Sequence, residues 1–220
     1  MIRLDEKGEL RYGLLSEGTS DSVLKPLIDW VLAQHYPRVD LEGNSLNKRL
    51  SLKGLALAKK LELAIQTVDV DVLFVHRDAD RTRVAKRETE IFQAWEMAIK
   101  QATLEDSGSK VIPIVPVTMS ESWLLIDEQS IKLAANNPKS KIGLSLPSPA
   151  NIERIADPKA KLFECLKAAS ELKGRRLKKF RPEKQRHLIP HEFSDQVFNR
   201  LLQVPSFQHF YDSIPQYLNP

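Results

Sequence analysis

The chain has 220 residues, 42% of them hydrophobic and 28% charged, a balance that belongs to globular proteins and excludes wholesale disorder. Its longest clean apolar stretches, Val72–Val75 and Val111–Val117, fall far short of the ~20 residues that a membrane-spanning helix needs. The charged opening Met1-Ile2-Arg3-Leu4-Asp5-Glu6-Lys7 is unlike a signal peptide, and the lone cysteine, Cys165, can build neither an internal disulfide nor a zinc site by itself.

These features set the expectation of a soluble, cytoplasmic protein with no membrane association. Net charge is +4, from 33 basic and 29 acidic residues, but it is unevenly spread. Residues 173–186 carry eight basic groups (Lys173, Arg175, Arg176, Lys178, Lys179, Arg181, Lys184, Arg186) against one acid, Glu183. A strip of that kind concentrates polyanions and releases counterions when phosphates dock, although a solvated loop has the same composition.

In chain order, Leu10–Ser16 reads as a first strand, closed by Glu17-Gly18-Thr19-Ser20-Asp21. Val23, Leu27, Ile28, Val31 and Leu32 then recur at helical spacing, giving a helix over 21–35. Val39–Glu42 is a weak second strand, and Leu57, Leu61, Ala64 and Ile65 line a helix expected to begin near Ser51. Val70–Val75 is the most strand-like stretch and ends at His76-Arg77-Asp78-Ala79-Asp80. A long helix follows, with Val84, Ile91, Trp95, Ala98 and Ala102 on one face. Val111–Val117 forms a fourth strand whose Pro113 and Pro116 suit a sheet edge.

Strands alternating with helices imply an α/β fold with a four-stranded, mainly parallel sheet covered on both faces. Nine of the thirteen prolines fall from Pro138 onward, which places a boundary near 136–150. The expected organisation is therefore an α/β domain over 1–135 and a helical extension over 136–220 packed on it, carrying the basic strip. In the extension, Leu162, Phe163, Leu166 and Ala169 mark one helix, and Phe193, Val197, Phe198, Leu201 and Leu202 mark another, before a short aromatic tail punctuated by Pro205, Pro215 and Pro220.

In open parallel sheets, ligands gather at the carboxyl ends of the strands. Acids cluster at those ends here: Glu17 after the first strand, Asp78 and Asp80 after the third, Glu121 after the fourth. Carboxylates two residues apart project to the same side of an extended chain and repel unless a cation lies between them. Oxygen-only ligands favour a hard ion such as Mg2+ or Mn2+. Each acid also has a plainer explanation: Asp78 or Asp80 as a helix cap, Glu17–Asp21 as a turn with Ser20 capping, Glu121 as an ordinary first helical turn.

At these residues the chain resembles the TOPRIM superfamily, which is marked by a glutamate closing the first strand inside Glu-Gly and by Asp-x-Asp closing the third. It is more specifically similar to small bacterial TOPRIM-like proteins related to the overcoming-lysogenization-defect nucleases. Those carry a Glu-x-Trp-Leu-Leu-x-Asp segment, matched by Glu121-Ser122-Trp123-Leu124-Leu125-Ile126-Asp127, and tails like Asp157-Pro158-Lys159 and Val204-Pro205-Ser206-Phe207-Gln208-His209-Phe210.

The resemblance implies a TOPRIM-like, Rossmann-like sheet and a metal-dependent nuclease hydrolysing the phosphodiesters of DNA or RNA, with anti-phage defence as its setting. By position, Glu17, Asp78 and Asp80 would be catalytic. Asp78 and Asp80 would hold magnesium together with Glu17, while Asp21 and Glu121 would complete a second metal site. Arg77, Arg81, Arg83, Lys86 and Arg87 would offset the acidic pocket and meet phosphate, and Arg175, Arg176, Lys178, Lys179 and Arg181 would make more distant backbone contacts.

An ABC-type ATPase is an implied candidate partner, and self-association is left open. The sequence departs from the family in placing Arg81-Thr82-Arg83 where a further acid is common, and in carrying His76-Arg77 at the strand end. The alternative function is a non-catalytic, magnesium-binding partner subunit of an ATPase. A small-nucleotide transferase is disfavoured by the lack of any G-x-x-x-x-G-K loop.

Overall fold

The computed structural model describes residues 8–17, 21–50, 52–80, 82–103 and 108–218, with the side chains of Asp21, Ser22, Lys48 and Arg49 excepted. Those residues fall into two compact units, one within Met1–Val115 and Phe210–Pro220, the other within Pro116–His209. The boundary expected near 136–150 lies inside the second unit. Among the described residues no helix is long and apolar enough to cross a membrane.

The first unit is an α/β, Rossmann-like fold. Its strands are β1 (Glu9–Leu15), β2 (Asp40–Ser45), β3 (Val72–His76) and β4 (Lys110–Ile114), and its helices α1 (Asp21–His35), α2 (Leu46–Arg49), α3 (Leu57–Thr67) and α4 (Val84–Gln101). All three strand pairings are parallel, in the order β2-β1-β3-β4. Each return to a parallel neighbour needs a helical crossover, which is why strands and helices alternate. Pro113 sits on the edge strand β4 opposite Val75, where a missing backbone donor is tolerated. The helix expected near Ser51 starts at Leu57; Ser51 itself lies outside the described residues.

The pleat sorts the strand side chains onto two faces. Leu15, Leu73 and Val75 join Leu61 and Ala64 of α3 and Ile91 and Ala98 of α4 in one apolar cluster. Tyr12 and Phe74 meet edge-to-face on the other side, where Phe74 also meets Phe210. Tyr12 is fully buried and donates its hydroxyl to Asp29, which also pairs with Lys25 at 2.8 Å. Burial, with the Asp29 charge and hydrogen bond, pushes the Tyr12 hydroxyl far above its ordinary pKa.

The second unit is helical: α5 (Glu121–Leu124), α6 (Glu128–Ala134), α7 (Pro149–Ile152), α8 (Pro158–Ser170), α9 (Gly174–Lys179), α10 (Pro182–Gln185), a 3-10 segment (Arg186–Glu192) and α11 (Asp195–Leu201). Helices α5 and α6 pack against α8 and the 3-10 segment, so the stretch after β4 belongs here rather than with the sheet. Asp157 caps α8 by accepting from Ala160 N, and Asp127 caps α6 by accepting from Ser130 N. Cys165 is free and buried, as a small apolar residue would be.

The final helix, α12 (Pro205–Leu218), corrects the expectation of a short aromatic tail. Pro205 occupies its first position, where no donor is lost. Pro215 lies within it and is accommodated because His35 supplies a substitute donor to the carbonyl of Tyr211.

Candidate functional site

The strand order makes the gap between β1 and β3 the topological switch point, since the chain leaves β1 toward β2 on one side and returns to β3 on the other. Leu15 pairs with Val75 at the end of that register, so Glu17 and Arg77 emerge side by side. Asn47 secures the end of β1, donating to the Ser16 carbonyl at 2.6 Å.

Arg77 Nη2 is 3.6 Å from Glu17 Oε1, and Arg77 Nη1 is 3.1 Å from Glu90 Oε2. Arg87 also reaches Glu90, at 2.9 Å. The hydrogen bond that Arg87 donates to Glu90, with the charges of Glu90, Glu17 and Asp80, raises the Arg87 pKa against the effect of burial. Reciprocally, the hydrogen bond from Arg87 and the charges of Arg87, Arg77 and Lys86 hold the Glu90 carboxyl below the usual range.

The ends of β1 and β3 and the first turns of α4 thus share one charge cluster of Glu17, Arg77, Glu90 and Arg87. Glu90 is the member that sequence reasoning missed; its spacing of three from Arg87 on a helix was the available signal.

Asp78 has a partner of its own. His76 Nε2 is 3.1 Å from Asp78 Oδ1, and both follow the parity of Val72 and Phe74 along β3. His76 is 1% exposed, and its Nδ1 has no hydrogen-bond partner. With a carboxylate as acceptor at Nε2, that nitrogen carries the proton.

Asp80 is exposed and adopts φ 46°, a left-handed conformation that Asp tolerates better than most residues. Helix α4 takes Arg83 as its N-cap, with no side-chain capping bond. Neither aspartate therefore serves as that helix's cap.

The remaining candidate residues are divided between the two units. Glu121 is 4% and Arg186 5% exposed, and the two form a buried ion pair in the second unit. Glu121, expected as a metal ligand, is engaged otherwise here: its carboxylate neutralises a buried guanidinium, which a departing acid would strand. The rest of that motif is likewise internal. Trp123 Nε1 donates to Ser206 at 3.0 Å and its ring meets Phe207 edge-to-face, while Asp127 caps α6 and pairs with Arg200.

Asp21 opens α1, but its side chain lies outside the described residues, as do Gly18, Thr19, Ser20 and Arg81. Arg83 and Lys86 are exposed at the start of α4. Arg175, Arg176, Lys178, Lys179 and Arg181 are exposed on and just after α9.

A cleft of about 180 Å3 opens at the switch point, lined by Leu15, Glu17, Leu57, Lys60, His76 and Arg77 among others. That is below the ~300–1,000 Å3 of pockets that enclose whole small molecules, so a larger ligand would extend across the surface.

Among the described residues, no group of three or more His, Cys, Asp or Glu side chains assembles as a metal cage. Asp78 and Asp80 nevertheless suit a hydrated magnesium ion in donor type, since that ion is commonly held by one or two carboxylates with waters and substrate phosphate. In comparisons with known proteins, no family model, no curated protein and no solved structure matches this chain.

Proposed function

We propose that the chain is a TOPRIM-like, metal-dependent nuclease acting in the cytoplasm on nucleic-acid phosphodiesters, with anti-phage defence as its setting. The observation that carries this reading is the charge cluster at the switch point, where Glu17 from the end of β1 lies 3.6 Å from Arg77 just past β3, and Arg77 shares Glu90 with Arg87. Acids with cations interleaved are what a site needs if it is to hold a metal and still admit a polyanion.

Asp78 and Asp80 would hold the magnesium or manganese ion, which supplies charge relief at the phosphoryl oxygens when bound. Glu17 would orient the attacking water and accept its proton, after Arg77 turns from Glu17 toward a phosphate oxygen. Arg77 and Arg87 offer guanidinium forks for the same group. His76 fixes one oxygen of Asp78 and so its orientation. With Glu121 paired to Arg186, the proposal has one ion rather than two.

Arg81-Thr82-Arg83, which stands where the resembled family commonly has a further acid, favours a second reading, a non-catalytic magnesium-binding subunit that partners an ABC-type ATPase. One experiment separates them. Purified protein is incubated with plasmid, single-stranded DNA and total RNA in magnesium, manganese or chelator, with Asp78→Asn, Asp80→Asn and Glu17→Gln alongside. Asn at position 80 is chosen because it tolerates the left-handed backbone. Metal-dependent cleavage lost in the three variants supports the nuclease. Magnesium binding without cleavage supports the subunit, and cleavage retained in both aspartate variants overturns the assignment of the site.

A further inference from the structure

The second unit holds the positive charge of this protein. Residues 116–209 contain 16 Lys or Arg against 10 Asp or Glu, so the rest of the chain is net acidic. Seven of those cations, Lys173, Arg175, Arg176, Lys178, Lys179, Arg181 and Lys184, are all exposed within twelve residues on α9 and the start of α10. Among the described residues none of the seven forms an ion pair. Arg186, the eighth in sequence, turns inward to Glu121. Like charges held this close repel one another, and no described acid of the same unit pairs with them to relieve it.

We infer that the α9 face is a docking surface for the phosphate backbone of duplex DNA, read without regard to sequence. The inference rests on the nuclease reading for the identity of the polyanion as nucleic acid. Three features select the duplex.

Single strands are gripped by bases stacking on exposed aromatic rings, yet among the described residues no Phe, Trp or Tyr is exposed, and the one ring of this segment, Phe180, is half-buried. Double-stranded RNA is recognised through its 2′-hydroxyls as well as its phosphates. Residues 173–184 contain no Ser, Thr, Asn or Gln, the neutral side chains that can both donate to and accept from a 2′-hydroxyl. What the segment presents is cationic heads on long stems, which suits phosphate contacts alone.

The test measures binding of the full chain, in chelator, to a short duplex DNA, to one of its single strands and to a double-stranded RNA of the same sequence, over a salt series. Chelator prevents metal-dependent cleavage, so this result stands or falls separately from catalysis. The duplex DNA should bind tightest.

The triple variant Arg175→Gln, Lys178→Gln, Lys179→Gln should weaken its binding and lower the slope of log affinity against log salt by about 2–3, near 0.9 for each phosphate no longer neutralised. A control removing the same charge from exposed positions of the first unit, Arg38→Gln, Lys53→Gln, Lys100→Gln, should leave the slope unchanged. An equal drop in the control, an unchanged slope in the triple variant, or single-stranded DNA or duplex RNA bound as tightly, would each overturn the inference.

Discussion

His35 Nε2 lies 3.0 Å from the carbonyl oxygen of Tyr211, the acceptor that Pro215 leaves without its helical donor. A proline inside a helix removes the bond to the carbonyl four residues back, and a buried carbonyl without a partner is costly. The imidazole, on the last turn of α1, supplies that proton and meets the Tyr211 ring at 4.3 Å between centroids, tilted by 41°. His35→Ala should therefore destabilise the first unit by about 1–2 kcal/mol. His35→Gln, which keeps a donor, should recover part of this. Urea unfolding of the two variants would show it, and equal midpoints for wild type and His35→Ala would refute the substitution of donors.

The Glu121–Arg186 pair makes the sharpest distinction between scaffold and metal site. Glu121→Ala should cost about 3–5 kcal/mol, because it strands a guanidinium that is 5% exposed. The double variant Glu121→Leu, Arg186→Met should be more stable than the single one. A ligand of an ion would behave oppositely, with little loss of thermal stability in chelator.

Gly43 of β2 lies beneath the Tyr12 ring. A Cβ there would come within 2.1 Å of Tyr12 Cζ and 2.3 Å of its hydroxyl oxygen. Tyr12 cannot retreat, because it is fully buried and tied to Asp29. Gly43→Ala should cost about 1–3 kcal/mol by overpacking. Combined with Tyr12→Leu, the penalties should fall short of additive, since the second change empties the space the methyl needs. Thermal melts of the three variants provide the comparison.

Glu128 has its carboxyl held below the usual range by the hydrogen bond from Lys132 and by the backbone N–H of Leu144, against a smaller effect of burial. A folded pKa below the unfolded value of about 4.3 contributes stability at neutral pH and loses it as pH falls through the folded value. The stability difference between wild type and Glu128→Gln should be a few tenths of a kcal/mol at neutrality, given the group's exposure. It should shrink toward zero on acidification below about pH 4. A difference that grows in acid would reverse the sign of this linkage.

Much of the first unit is legible in the residues. The spacing of Val23, Leu27, Ile28 and Val31 yields a helix over 21–35, as found, and the apolar run ending at Val75 marks the central strand. Pro113 suits an edge, which is where β4 lies, whereas the strand expected to run to Val117 ends at Ile114 and leaves Pro116 beyond it. The juxtaposition of Glu17 with Arg77 also follows from strands alternating with helices, because parallel strands end on one side. Glu121 could not be placed this way. Its partner, Arg186, is 65 residues distant, and no local pattern links them.

The residue pattern determined the layered α/β architecture, the acids at the strand ends and the cationic segment after α8, since all of these depend on neighbours a few positions apart. Tertiary structure alone decided which charges are neutralised internally. It buried Glu121 and Arg186 against each other, put Glu17 beside Arg77 and Asp78 beside His76, and left the α9 cations facing water. Such pairings are set by which surfaces meet when the apolar faces close, and that closure is specified by the whole core rather than by any one motif.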